Sequence, residues 1–250
     1  MRVRARLAGT ALVAVVLAGL VLPAGALAGN SRSLPAHVAP PLARASRDRE
    51  RPWNEGCVAF ETRKQPRSCV YGRRNADYTI ALIGDSHLSH FFPAFQAAAL
   101  EHGWRLIVYF KTNCPFVDMR VRSHVLGREY TECATWNRRV VERVNAARPD
   151  LVVVAMYRIR AVRRVDRTNS RKAAALARMI GRLNSPVVLL ADSPSSRVDV
   201  PRCLARNRHN VSRCATPRRL ALAGHAVVER AAARIADVPV IDLANRVCVA

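Results

Sequence analysis

Tyr78-Thr79-Ile80-Ala81-Leu82-Ile83-Gly84-Asp85-Ser86-His87 is the stretch that decides how this chain is read. Residues 78–83 form a continuous apolar run, the pattern of a strand buried on both faces rather than the alternation of one with a wet face. The run enters a glycine turn directly. Beyond it Leu88, Phe91, Phe92, Phe95, Ala98 and Ala99 recur at helical spacing, so strand, tight turn and helix follow one another without a linker.

The same alternation continues along the chain. Residues 104–110, 151–156, 187–191 and 238–243 are further short apolar runs. Between them lie helical stripes: Cys133, Trp136, Val140, Val141 and Val144, ending at Pro149; then Leu176, Met179, Ile180 and Leu183. Thr216 and Pro217 read as an N-cap with proline at the first helical position, ahead of Leu220, Ala223, Val227, Ala231 and Ile235. Five buried strands alternating with helices predict an α/β protein with a mostly parallel five-stranded sheet covered on both faces. Open sheets of this kind bind ligands beyond the carboxyl ends of their strands, which directs attention to the loops after Ile83, Phe110, Met156 and Ala191.

The chain has 250 residues, half of them apolar and 24% charged, enough for one globular domain with accessory segments. Arg2, Arg4 and Arg6 precede an uncharged stretch, residues 7–28, that ends in Ala26-Leu27-Ala28, the form of a secretory signal with a small-x-small cleavage site. An uncleaved anchor is the other reading of that stretch. Residues 29–52 are rich in Pro, Ser and Arg without periodicity and read as a flexible linker, leaving residues 53–250 as the folded domain. The formal charge is +23, and subtracting Arg2, Arg4 and Arg6 leaves +20. Only Lys64, Lys111 and Lys172 are lysines, so the skew to arginine reflects coding composition as much as selection, and export argues against a nucleic-acid partner.

Seven cysteines fit an oxidising compartment. Sequence neighbours fall into short loops, Cys57 with Cys69, Cys114 with Cys133 and Cys203 with Cys214. A disulfide closing each would contribute about 3 kcal/mol on the chain-entropy model. Cys248 is left over. No CxxC and no Cys/His cluster with zinc spacing occurs, so neither a metal nor a cofactor is expected.

Ser86 is the leading candidate for chemistry. It falls at a strand's carboxyl end and a helix start, where backbone N–H groups can stabilise an oxyanion and Gly84 permits close backbone approach. The simpler reading, in which Ser86 or Asp85 only caps the helix, fits the position equally well.

Gly84-Asp85-Ser86-His87 with Pro93 resembles the first block of the SGNH (GDSL-like) hydrolases. The form is that of the SGNH domain fused to large membrane O-acyltransferases that modify bacterial envelope glycans. The likeness continues in order through Asn113-Cys114-Pro115, Glu132-Cys133 with Trp136, Pro149-Asp150-Leu151-Val152-Val153 and Leu190-Ala191-Asp192-Ser193-Pro194. It ends with Val200-Pro201-Arg202-Cys203 and Val240-Ile241-Asp242-Leu243, covering about residues 53–248. The resemblance implies a flavodoxin-like three-layer α/β/α fold with Ser86 as nucleophile. Its hydroxyl would attack an ester carbonyl, form an acyl-enzyme and release the acyl group to a sugar hydroxyl or water. Gly84, Asp85, His87 and Asn113 become oxyanion or supporting residues, and an envelope glycan or other acyl ester becomes the substrate. Acyl groups would come from a separate membrane acyltransferase or an extracellular ester.

Two departures from the family pattern matter. Tyr157 and Arg158 stand after Met156, where the wider superfamily places an Asn, and no Asp in the chain is followed three residues later by His, the pair that supplies the family's general base. The expectation is a domain lacking its C-terminal end, with orphan Cys248 pointing to the same place, and with little activity as written; His87 and His90 are the only histidines near Ser86 in sequence. Arginines offer a second lead. Arg158, Arg160, Arg163, Arg164, Arg167, Arg171 and Lys172 follow the third strand with one acid, Asp166, among them, and Arg202, Arg206, Arg208, Arg213, Arg218 and Arg219 follow the fourth. Of these, Arg158, Arg160, Arg163 and Arg206 are the candidates to hold an anionic envelope polymer or anionic lipid. The rival readings are a non-catalytic basic envelope-binding module and a non-functional fragment.

Overall fold

The computed structural model describes residues 33–248; the expected signal segment and the first residues of the linker lie outside them. The strands are β1 (Val58–Ala59), β2 (Cys69–Gly72), β3 (Thr79–Gly84), β4 (Arg105–Lys111), β5 (Leu151–Ala155), β6 (Val187–Leu190) and β7 (Val240–Ile241). The five runs read from the sequence are β3 to β7, each displaced by no more than about two residues at either end, and all pair in parallel. The sheet has seven strands rather than five. β1 pairs in parallel with the end of β4, and β2 lies antiparallel along its first half. Neither carries a periodic signal: β1 has two residues, and β2 contains only Val70 and Tyr71 between a cysteine and a glycine.

The sheet order is β1-β4-β3-β5-β6-β7. The chain therefore leaves β3 for β4 on one side and returns to β5 on the other. Gly84 is paired with both Phe110 and Ala155, so the carboxyl ends of β3 and β5 flank the point where the order reverses.

Helices α1 (Arg51–Asn54), α2 (Ser86–His90), α3 (Phe92–His102), α4 (Thr131–Ala147) and α5 (Asn169–Ile180) are followed by α6 (Val200–Arg206), α7 (Arg218–Ala221), α8 (Val227–Ala236) and α9 (Ala244–Val247). Alternate strand residues point to opposite faces. Ala81, Ile83, Ile107, Tyr109, Val152, Val154 and Leu189 join a core closed by Trp136 and Val140 of α4, Leu176 of α5 and Ala232 of α8. Ile80, Leu82, Leu106 and Val108 are buried on the opposite side, where α3 packs on β2 and β4 with Phe92, Phe95 and Ala99 inward. The three layers are thus helix, sheet and helix.

Two helical stretches read as continuous are broken. The run from Leu88 to Ala99 divides at Phe91 because Pro93 lacks an N–H and fits only the first turn of a new helix, α3. The run from Thr216 to Ile235 divides at residues 222–226, where Gly224 (φ 72°) and Ala226 (φ 53°) adopt left-handed backbone. Thr216 does not cap α7. Its hydroxyl accepts the Arg197 N–H, and Pro217 holds the cap position.

The chain divides into two compact units. The first comprises Glu50–Asp192 and Ala226–Asp242 and holds the whole sheet. The second comprises Ser193–His225 with residues 33–49 and 243–248 of the described chain. Within it the Leu34 N–H donates to the Arg208 carbonyl at 2.7 Å, and the Arg218 guanidinium reaches Asn245 and the Cys248 carbonyl.

Candidate active site

Only glycine fits at position 84. A Cβ there would lie 2.1 Å from the Ala155 carbonyl oxygen and 2.8 Å from Leu88 Cβ, so β3 and β5 approach each other where a side chain would hold them apart. Asp85 follows as the N-cap of α2. One carboxylate oxygen accepts the His87 N–H and the other the Tyr157 N–H, both at 2.9 Å. This buried side chain therefore ties the turn after β3 to the loop after β5. Burial pushes its carboxyl up to about 6, against the two N–H groups that favour the charged form and with help from the Asp192 charge.

Ser86 is the first residue of α2 and partly exposed. Its N–H is one of the amides that a helix start leaves without an intrahelical acceptor. Its hydroxyl makes no hydrogen bond among the described residues. The helix it opens has only five residues, too short for much of a macrodipole, so oxyanion stabilisation here rests on local N–H groups.

His87 is the surprise of the site. Its Nδ1 lies 2.6 Å from Asp192 Oδ1, and its ring stacks on Tyr157 with centroids 4.2 Å apart and planes 20° from parallel. The Arg158 guanidinium sits on the Tyr157 ring at 5.5 Å. Burial alone would lower the imidazole pKa, but the Asp192 hydrogen bond and charge, helped by Asp85, outweigh it and raise the value. The His90 ring is 5.1 Å from that of His87, and burial and the His87 charge lower its pKa.

The other expected residues divide. Asn113, Arg158 and Arg160 line one small pocket with Asp85 and Tyr157, of about 10 Å³, enough for one water molecule. One of the two Asn113 side-chain N–H donors is held by Glu61 at 2.7 Å. Arg163 is exposed beside this group without lining it, and Arg206 lies on α6 in the second unit. The cysteines form the three expected disulfides, Cys57–Cys69, Cys114–Cys133 and Cys203–Cys214, and Cys248 is unpaired. Among the described residues no cluster of three His, Cys, Asp or Glu is placed to hold a metal ion.

Sequence reasoning missed the Asp192 and Tyr157 partnerships. The signal was present, since both stand in loops after strands that the sequence marks as ligand-side. It also missed Glu61, which follows β1. Lys111, buried at the end of β4, donates to the carbonyls of Phe60, Glu61 and Arg63 at 2.7, 2.9 and 2.7 Å and so fixes the segment that holds Asn113.

A parallel α/β/α domain with a serine at the strand-to-helix turn beside the topological switch point has the arrangement of an SGNH-type domain. The family model for the SGNH domain (fused to AT3 domains) matches residues 56–250, and the chain belongs to that family. Among solved structures it is similar to the periplasmic domain of the lipopolysaccharide acetyltransferase of Salmonella ser. Paratyphi A, with 13% identity and a TM-score of 0.50 over 70% of each chain, a likeness of fold. No curated protein sequence matches it.

Proposed function

We propose that the chain is an exported envelope domain that transfers or hydrolyses acyl esters through Ser86. The observation that carries this reading is the position of Ser86 after Gly84, at the sheet's reversal point, with an unpartnered hydroxyl and an N–H free to meet an oxyanion. In the reaction, Ser86 Oγ attacks the ester carbonyl and loses its proton to a base while the alcohol leaves. The acyl-serine is then taken by a sugar hydroxyl or by water. Family membership supports acyl chemistry in the setting of a membrane acyltransferase, and the periplasmic relative supports an envelope location and a glycan acceptor.

His87 has the partner that orients a catalytic imidazole, but neighbouring helix residues point about 100° apart, and the Ser86 hydroxyl has no bond to it. The test is p-nitrophenyl acetate hydrolysis with labelling by a fluorophosphonate. Wild type should show weak turnover and a label on Ser86, and Ser86→Ala should show neither above background. Equal rates and labelling in both proteins would remove Ser86 from the mechanism.

A further inference from the structure

A group of cations in the first unit lines a groove of about 340 Å³, formed by Arg122, His124, Arg160, Arg167 and Lys172 over an apolar floor that includes Ile159. Backbone pairing holds its walls: Val121 bridges Ala161, and the Arg122 N–H donates to the Arg160 carbonyl at 2.7 Å. The acids nearby are engaged with other arginines, Glu129 with Arg120 and Asp166 with Arg171. Arg160, Arg167 and Lys172 have no carboxylate partner among the described residues, and the Arg122 guanidinium bonds only the Gly127 carbonyl. These cationic side chains line one concavity, where a bound anion would relieve their mutual repulsion.

We infer that this groove is an acceptor subsite for an anionic glycan, its carboxylate or phosphate groups meeting the arginine forks and the Lys172 ammonium while the sugar's C–H face rests on the apolar floor. The inference rests on the acyl-transfer reading of Ser86, because the groove shares Arg122, His124 and Arg160 with the small pocket lined by Asp85, the residue before Ser86. A glycan strand suits the site better than an anionic bilayer. The cations line a concavity within the size range of ligand pockets, whereas a flat membrane meets a convex basic surface.

Binding is measured by calorimetry on the Ser86→Ala protein, so the outcome does not depend on catalysis. The probes are an oligogalacturonate for carboxylates, a mannose 6-phosphate oligosaccharide for phosphates, a neutral dextran fragment and phosphatidylglycerol vesicles. At least one anionic oligosaccharide should bind in a salt-dependent way. Arg167→Glu with Lys172→Glu should weaken it about tenfold or more. Arg213→Glu with Arg219→Glu, an equal change of charge in the second unit, should weaken it less than about threefold. Which oligosaccharide binds identifies the anion. Equal loss in the two double variants, equal binding of neutral dextran, binding of vesicles in preference to both anionic oligosaccharides, or no binding of either would each overturn the inference.

Discussion

Nδ1 of His87 and Oδ1 of Asp192 stand 2.6 Å apart across 105 residues of sequence, joining the turn after β3 to the loop after β6. The pair converts an imidazole that burial would keep neutral into one whose protonated form is favoured, because the adjacent carboxylate outweighs desolvation. It also fixes which ring nitrogen remains for other partners.

Asp192→Asn should therefore lower the His87 pKa, since burial and the Arg158 charge would then act with less opposition. A proton NMR titration of the His87 ring reads this directly. The sign for stability follows from linkage. A histidine whose folded pKa is raised contributes stability that is complete below its unfolded value of about 6.5 and is lost as pH rises through the folded value. The stability gap between wild type and Asp192→Asn, from urea unfolding, should be largest in mild acid and shrink as pH rises beyond that window. A His87 titration unmoved by the substitution would show that the pair does not set its charge.

Gly84 supplies a second prediction because its constraint is a close contact with backbone, which cannot rotate away. Gly84→Ala places Cβ against the Ala155 carbonyl at 2.1 Å and should destabilise the domain by about 1–3 kcal/mol or more, by forcing β3 from β5. Gly181 makes the contrast. It ends α5 with right-handed backbone (φ −62°) and nothing closer than 3.6 Å, so Gly181→Ala should stabilise by about 0.4–1 kcal/mol through the unfolded chain. Thermal melting of both variants checks the pair, and a neutral Gly84→Ala would mean that the two strands are not held this closely.

How much of this was legible in the sequence depended on whether each signal was local. β3 to β7 announced themselves as apolar runs because a strand buried on both faces needs no partner residue to be recognised. β1 and β2 did not, since their reason for being strands is the edge of β4. Gly84, Asp85 and Ser86 were readable as a turn of fixed chemistry. The partners Asp192 and Tyr157 were readable only as residents of ligand-side loops, because nothing in sequence sets a distance between loops 72 and 105 residues away. The arginines behaved likewise. Arg160 and Arg158 come together with Asp85, while Arg163 beside them in sequence does not.

The disulfides give a third prediction. Each pair closes a local loop, with separations of 12, 19 and 11 residues, so each should contribute about 3 kcal/mol on the chain-entropy model. Mass mapping without reduction should return the same three pairs with one alkylatable thiol at Cys248. Replacing both Cys114 and Cys133 by Ala should cost most in the buried layer, because these two cysteines lie within the core beside Trp136. A mapped bridge from Cys248 to any other cysteine would contradict the pairing.

The last prediction concerns the base. Among the described residues Ser86 has no hydrogen-bonded base, and His87 commits Nδ1 to Asp192. A positioned general base contributes about 10²- to 10⁴-fold, and the members of a catalytic set act as a unit. Removing the group that serves Ser86 as base should therefore lower ester hydrolysis by about 10²-fold or more. The candidate among the described residues is His90. It stands four residues after Ser86, on the same side of α2, and its lowered pKa keeps it neutral and able to accept a proton near pH 7. His90→Asn should bring p-nitrophenyl acetate hydrolysis down close to the Ser86→Ala rate, and an unchanged rate would show that His90 is not the base.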